Sequence, residues 1–191
     1  MIYQIRISLI DTNPLIWRQI QVDSQLSLSD LHAVIQTAMG WQNRHGYLFR
    51  KHTSPDSGPT LYGYPELDIN NMIDDRIVMI EQLLPSKGSS AIYEYDFGDD
   101  WQHLIVLEAI LEANSDIKYP CCIRGELACP PEDVGGIPGF YEFLEAIGNP
   151  AHKKNKFYKK WLGKTYTSDA YSITDSKLNL LEPDENPVKA Q

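Results

Sequence analysis

The sequence predicts an α+β fold, with one domain built on a mixed or mostly antiparallel sheet of about five or six strands and three to four helices. Apolar and polar residues alternate through residues 2–10, which is the pattern of a half-buried strand. In contrast, residues 28–39 carry apolar side chains at helical spacing. The chain has 191 residues and 42% hydrophobic content, which is enough for one buried core.

The first fifty residues predict the order strand, strand, helix, strand. A turn containing Pro14 separates the first strand from a returning strand at residues 15–22. Ser27 is a favourable helix N-cap, and Gly40 is placed to end the helix. A further short strand is predicted at residues 46–52. This order is β-grasp-like.

The second half predicts a hairpin followed by two helices. The strands are expected at residues 91–97 and 101–111, and the helices at residues 138–147 and 154–162. Residues 74–84 fit either a short strand or a helical turn, and residues 116–139 have the composition of a loop. We expect one domain over residues 1–175, followed by a partly disordered tail at residues 176–191.

The charge and the cysteines restrict the functional class. The formal net charge is −9, from 17 basic and 26 acidic residues, which opposes general binding to nucleic acids or to anionic membranes. The N-terminus lacks the features of a signal peptide, and no apolar run is long enough to span a bilayer. The three cysteines lie in one short region, so we expect free thiols and a cytoplasmic location.

The segment EYDFGDDWQH, residues 94–103, is the most unusual stretch of the chain. A three-residue loop at residues 98–100 would place Tyr95 opposite His103 and give a cross-strand aromatic ladder. Asp96 would then point to the other face and pair with Arg18, provided that their strands are neighbours. The alternative is functional, because Asp96, Asp99 and His103 are suitable residues for half of a metal or acid–base site.

The segment PPEDVGG, residues 130–136, places Glu132 and Asp133 between prolines and glycines. These acids would either present carboxylates to a metal near Asp99, or cap backbone amides and pair with Arg18 or Arg44. His45 follows Trp41 and is either a hydrogen-bonded scaffold residue or part of the site. The candidate site residues are Asp96, Asp99, His103, Glu132, Asp133, Arg18 and His45.

Two further segments carry weaker signals. The cysteines at positions 121, 122 and 129 would bind zinc only together with His103 or His45, and their spacing matches no common zinc motif. Residues 152–164 hold six lysines interleaved with aromatics. This segment predicts either a nucleic-acid or acidic-protein contact, or an amphipathic helix with Phe157 and Trp161 facing inward.

Several motifs together resemble an uncharacterised family named after the third open reading frame of a root-inducing plasmid. They are PLIWRQI at residues 14–20, LHAVIQTAMGW at 31–41, YDFGDDWQH at 95–103 and GELACPPEDVGG at 125–136, with looser matches toward residue 180. Val134 and Gly46 depart from the residues usual in that family. The resemblance implies a shared fold and no known biochemistry.

Three functions remain open from the sequence. The first is a binding or adaptor module that uses a groove between the sheet and residues 130–136. The second is a metal-dependent hydrolase or nuclease using the Asp, His and Glu cluster. The third is a nucleic-acid-associated protein acting through the lysine segment. No cofactor or partner is assigned, although a protein partner is possible and a membrane is not expected.

Overall fold

Eight strands form one continuous sheet in the computed structural model, which describes residues 1–52, 58–163 and 165–169. The strand order is β5-β4-β3-β6-β7-β1-β2-β8, and every pair is antiparallel except β4 with β5. The α+β class and the mostly antiparallel sheet are therefore confirmed. The sheet has more strands than the five or six expected.

The strands are β1 (Ile2–Leu9), β2 (Trp17–Asp23), β3 (Tyr47–Lys51), β4 (Thr60–Gly63), β5 (Ile73–Asp74), β6 (Ser90–Tyr95), β7 (Trp101–Leu111) and β8 (Cys121–Glu126). The helices are α1 (Leu28–Met39), α2 (Ile80–Leu83), α3 (Gly136–Gly148) and α4 (Asn155–Leu162), with 3-10 turns at Pro65–Leu67 and Asp75–Ile77. No helix in these described ranges is long and apolar enough to cross a bilayer.

The predicted N-terminal half is present with small changes in its boundaries. The alternating residues of β1 from Tyr3 to Leu9 are buried, and this strand lies between β7 and β2 in the sheet. Ser27 and Asp30 form a reciprocal capping box at the start of α1, and Gly40 ends the helix with a φ of 80°. All four helices contribute buried side chains to one apolar cluster with the sheet.

The hairpin of β6 and β7 has a five-residue loop at residues 96–100, so the predicted three-residue loop is wrong. Tyr95 lies opposite Trp101, and Tyr93 lies opposite His103. Asp96 takes a φ of 57°, accepts the Asp100 N–H on its carbonyl oxygen and accepts the Gly98 N–H on its carboxylate. Tyr93, Tyr95 and Trp101 keep their predicted face, because the register differs from the prediction by two residues. Phe97, which a three-residue loop would place opposite Trp101, instead lies in the loop and is 43% exposed.

The region predicted as a loop at residues 116–139 contains β8. This strand pairs with β2 alone and forms one edge of the sheet, so its side chains are mostly exposed or half-buried. A polar edge strand with a glycine gives little apolar alternation to recognise. The predicted tail at residues 176–191 lies outside the described residues, and the domain boundary at residue 175 stays a prediction.

Arg18 is a buried cation that joins several elements. Its side chain projects from β2, and the residue is only 2% exposed. The guanidinium donates to the carbonyl oxygens of Ala38 (3.0 Å), Trp17 (2.8 Å) and Glu126 (3.1 Å), and to the sulfur of Cys129 (3.1 Å). Arg18 therefore connects the end of α1 to β2 and β8.

The predicted pairing of Arg18 with Asp96 is wrong. It required neighbouring strands, whereas β1 and β7 separate β2 from β6. The inward orientation expected for Phe157 is also wrong, because Phe157 is 61% exposed on α4 and Tyr158 is the buried aromatic.

We predict that Arg18→Met lowers the free energy of unfolding by about 3–5 kcal/mol, because buried carbonyl oxygens lose a charged donor. Urea denaturation monitored by tryptophan fluorescence measures this change. Arg76→Met is the control, since Arg76 is an exposed arginine that pairs with neighbouring Asp74, and it should have a much smaller effect. Equal effects for the two variants would show that Arg18 does not hold these elements together.

Candidate functional site

Three loops meet beyond one end of the central hairpin: residues 41–46 after α1, residues 96–100 between β6 and β7, and residues 129–136 before α3. Trp41 lies in the first loop and is only 7% exposed. Its indole N–H donates to the carbonyl oxygen of Pro130 (2.9 Å), and its ring stacks on Tyr95 with centroids 5.1 Å apart. The indole therefore ties the first loop to the third above the hairpin.

The hydroxyl of Tyr95 is the second connection between these loops. It donates to Glu132 Oε1 (2.6 Å) and accepts the backbone N–H of Arg44 (3.0 Å). The other oxygen of Glu132 accepts the backbone N–H of Gln42 (3.2 Å). Burial, and then the Glu132 carboxylate, raise the pKa of Tyr95, so the phenol remains a donor.

Asp99 holds the hairpin loop against the third loop. Its carboxylate accepts the N–H of Gly135 (3.0 Å). A Cβ at Gly136 would lie 2.5 Å from the carbonyl oxygen of Asp99, and Gly136 also has a φ of +65°. Glycine is therefore required at position 136 by both close approach and backbone conformation.

The three loops bring His45, Asp96 and Asp133 together. His45 Nε2 lies 3.0 Å from Asp133 Oδ1 and 3.5 Å from Asp96 Oδ2, and the three donor atoms lie within 4.8 Å of one another. The Nε2 atom is buried, yet it forms no hydrogen bond of acceptable geometry within the described residues. The side chain of Asp96 is 10% exposed and that of Asp133 is 53% exposed, so the cluster opens to solvent on the Asp133 side.

These distances suit a divalent cation. Two donors that each lie about 2.1 Å from one cation, at an angle of about 90–110°, are about 3.0–3.5 Å apart. Imidazole nitrogen and carboxylate oxygen are ligands for zinc, manganese and related ions. The arrangement therefore offers three protein ligands and leaves the remaining coordination positions on the solvent side.

A buried polar network supports the loop that carries His45. His32 projects from α1, stacks on Tyr47 with centroids 3.4 Å apart, and hydrogen-bonds Asn43 Oδ1 through Nε2 (2.8 Å). Its Nδ1 meets the hydroxyl of Tyr93 (2.8 Å), which also accepts an N–H from the Gln36 side chain. In the tautomer whose Nε2–H donates to Asn43 Oδ1, the Nδ1 atom of His32 has no proton and accepts from the Tyr93 hydroxyl.

The predicted site residues thus separate into three groups. Asp96, Asp133 and His45 converge, whereas Glu132 and Asp99 connect the loops around them. His103 is fully buried beneath Trp41, with ring centroids 5.2 Å apart, and its Nδ1 meets the carbonyl oxygen of Tyr93. Arg18 is part of the core, as described above. His103 and Arg18 are therefore buried in the core and are not among the three residues that converge, and their place in a functional site stays a prediction.

The Tyr95 hydroxyl has a role at this site that no sequence motif indicates, because the pattern around Tyr95 predicts only a place in an aromatic ladder. The available signal is its polar atom, because a buried phenol normally has a hydrogen-bond partner.

Cys129 is a core thiol close to this site. Its sulfur accepts from Arg18 and approaches Met39 Sδ at 3.7 Å. Burial raises the pKa of Cys129 to about 11, although Arg18 acts in the opposite direction. The thiolate that zinc binding or nucleophilic attack requires is therefore disfavoured at neutral pH. None of the three cysteines, all of which lie in the described part of the chain, forms a disulfide bond.

Comparisons with known proteins connect the chain to one family. The family model described as "Plasmid pRiA4b ORF-3-like protein" matches residues 1–175. The chain is 34% identical over 180 residues to the uncharacterized protein y4hQ of Sinorhizobium fredii (strain NBRC 101917 / NGR234), which covers 93% of this chain and 89% of that protein.

A solved structure shares the fold as well. The crystal structure of the protein of unknown function MM3350 from Methanosarcina mazei Go1 superposes with a TM-score of 0.81 at 30% identity. The match covers 91% of this chain and 96% of that one. None of these proteins has an assigned activity in its description, so the chemistry of the site has to be argued from its own geometry.

The buried histidines predict a loss of stability in mild acid. Burial lowers the pKa of both His32 and His103 to about 4, below the usual 6.5. Between pH 6.5 and 4 the unfolded chain therefore binds more protons than the folded chain. Stability that is present above pH 6.5 is lost as the pH falls through this range, at about 1.4 kcal/mol per pH unit for each histidine.

His103→Phe keeps an aromatic ring under Trp41 and removes one of the two titrating groups. Urea denaturation at pH 5, 6 and 7 should therefore show a smaller pH dependence for the variant, by about 1 kcal/mol per pH unit averaged over this range. A variant with the same pH dependence as the wild type would show that His103 does not remain neutral in the folded protein.

Proposed function

The chain belongs to the plasmid pRiA4b ORF-3-like family, and we propose that it is a binding module that depends on a divalent cation held by His45, Asp96 and Asp133. The observation that carries this proposal is the convergence of three donor atoms within 4.8 Å, contributed by three separate loops. Convergence of this kind requires tertiary structure, because the residues lie far apart in the chain. The proposed location is the cytoplasm, in keeping with three described cysteines that form no disulfide bond.

The surroundings of the cluster support a built site. Asp96 is held by its own loop, because its Oδ1 accepts the N–H groups of Gly98 (3.1 Å) and Asp99 (3.3 Å), which leaves Oδ2 toward His45. The backbone N–H of Asp96 donates to the carbonyl oxygen of Gly46, directly after His45. Two of the three donors are therefore fixed before a cation arrives, which lowers the entropic cost of binding.

The cation would supply the attachment point for a ligand. Two carboxylates balance the charge of a divalent ion, and the open coordination positions accept oxygen donors such as a carboxylate or phosphate group. Phe97 borders this opening, because its ring is 43% exposed and covers Gly46. A Cβ at Gly46 would lie 2.8 Å from that ring, so glycine allows Phe97 to lie beside the cluster.

Hydrolysis at the same cation is the second candidate function. The observation that favours it is the exposure of Asp133, which leaves solvent access on one side of the cluster. A divalent cation bound by three protein ligands lowers the pKa of a coordinated water toward neutrality. Glu132 and Tyr95 would act as positioning residues here, because they hold the loop that carries Asp133.

The metal proposal predicts stoichiometric binding that Asp133→Asn weakens at least tenfold, since one of three ligands loses its charge. Metal content of untagged protein is measured by inductively coupled plasma mass spectrometry. Affinities for Mn²⁺ and Zn²⁺ are then measured by isothermal titration calorimetry, beside a thermal-shift panel of divalent ions.

Asp100→Asn is the matched control. Asp100 and Asp133 both have positive φ, at 53° and 60°, and asparagine tolerates this conformation. Each variant removes one negative charge. Asp133 belongs to the cluster, whereas Asp100 lies outside the cluster and accepts an N–H from Gln102. The proposal is wrong if the wild type binds no cation, or if the two variants weaken binding equally.

Hydrolysis is tested on metal-loaded protein with bis(p-nitrophenyl) phosphate and p-nitrophenyl acetate. The enzymatic candidate predicts turnover that Asp133→Asn abolishes and Asp100→Asn leaves unchanged. Metal binding without turnover of either substrate would support the binding module and contradict the hydrolase.

A further inference from the structure

A second surface, on α4, is independent of the cation cluster. The inner face of this helix packs against α3 through Asn155 and Tyr158. The Asn155 side chain donates to the carbonyl oxygen of Ala146 (2.6 Å), and the Tyr158 hydroxyl donates to Glu142 (3.1 Å). These contacts fix which side of α4 faces away from the domain.

The outer face of α4 exposes two aromatic rings among lysines. Phe157 is 61% exposed and Trp161 is 39% exposed, and they lie one helical turn apart. Four lysines on or beside this turn are also exposed: Lys153, Lys156, Lys159 and Lys160. Lys154 differs from them, because it pairs with Glu142 at 2.7 Å.

The exposure of Phe157 and Trp161 is the opposite of what is expected for an ordinary amphipathic helix. Such a helix would turn Phe157 and Trp161 into the core and leave only lysines in solvent. Here Tyr158 fills the inner face. Trp161 touches the core through an edge contact with Phe143, at 6.3 Å between ring centroids, and stays 39% exposed. Phe157 contacts neighbouring Tyr158 at 5.2 Å between ring centroids and stays 61% exposed. Large exposed aromatics surrounded by one sign of charge are characteristic of binding surfaces.

We propose that the outer face of α4 binds single-stranded nucleic acid, with the bases stacked on Phe157 and Trp161 and the phosphates paired with the surrounding lysines. Aromatic rings offer flat faces to unpaired bases, and each stacked base contributes without a sequence requirement. The two rings are about 6 Å apart along the helix, a distance that neighbouring unstacked nucleotides span.

The overall charge of −9 does not prevent local binding of this kind. At physiological salt, exposed charges are screened over about 8 Å, so a strand on α4 is affected mainly by the lysines beside it. A membrane is the less suitable partner, because an eight-residue helix with two exposed rings offers little apolar surface to insert. An acidic polypeptide would account for the exposed lysines but would not account for the two exposed aromatic rings.

The test uses a fluorescein-labelled 20-mer of oligothymidylate and the full chain, with binding measured by fluorescence anisotropy at 50 and 200 mM salt. The wild type should bind the single strand, and more weakly at the higher salt. Phe157→Ala, and the double variant Phe157→Ala with Trp161→Ala, should reduce affinity by about tenfold or more, since stacking contributes about 1–3 kcal/mol per base. Ile77→Ala is the control for an exposed apolar residue elsewhere, at 70% exposure.

The charge contribution is tested separately. Replacing Lys156 and Lys160 by glutamine should reduce the slope of log affinity against log salt by about 1.4, at about 0.7 for each phosphate contact. The matched control replaces Lys87 and Lys118, two exposed lysines away from α4, and should leave the slope unchanged. If the double variant that includes Trp161→Ala is unstable, Phe157→Ala alone still tests base stacking, because Phe157 is the more exposed of the two rings.

Three results would overturn the proposal. They are no binding at 50 mM salt, equal affinity for the wild type and the aromatic variants, or equally tight binding of poly-glutamate or of anionic phospholipid vesicles. Poly-glutamate binding would identify an acidic polypeptide as the partner, and vesicle binding would identify a membrane surface.

Discussion

The hydroxyl of Tyr95 is the contact on which the arrangement of the site depends. It lies at the end of β6, accepts from the loop after α1 and donates to the loop before α3. The two loops carry His45 and Asp133, and Asp96 is the residue after Tyr95 in the chain. One phenol therefore sets the relative positions of all three candidate ligands, and the stacking of Trp41 on its ring keeps it there.

Near this contact a network of polar side chains lies between α1 and the sheet. His32, Tyr93, Gln36 and Asn43 satisfy one another, and burial keeps His32 neutral. Such a network fixes one geometry, because any displaced member leaves a buried polar atom without a partner. The loop of residues 41–46 is consequently anchored at Asn43, two residues before His45.

The segment EYDFGDDWQH contains both residues of the structural aromatic ladder and a residue of the candidate site. Tyr95, Trp101 and His103 form the aromatic ladder and belong to the core, whereas Asp96 lies with His45 and Asp133 in the cluster of donor atoms. In place of the expected three-residue loop, the chain turns through five residues, with positive φ at Asp96 and Asp100. The same local strain that closes the loop also directs the Asp96 carboxylate toward His45, so one turn serves the fold and the site.

The sequence by itself determined the α+β class, the first hairpin, the capped helix α1 and the helices α3 and α4, because periodicity and caps are local properties. By residue type it also placed His45, Asp96 and Asp133 among seven candidate site residues. Only the tertiary structure decided that His45 joins Asp96 and Asp133, that His103 and Arg18 belong to the core, and that β8 is a strand. It likewise decided that Phe157 faces solvent, because the inward side of a helix is set by what packs against it.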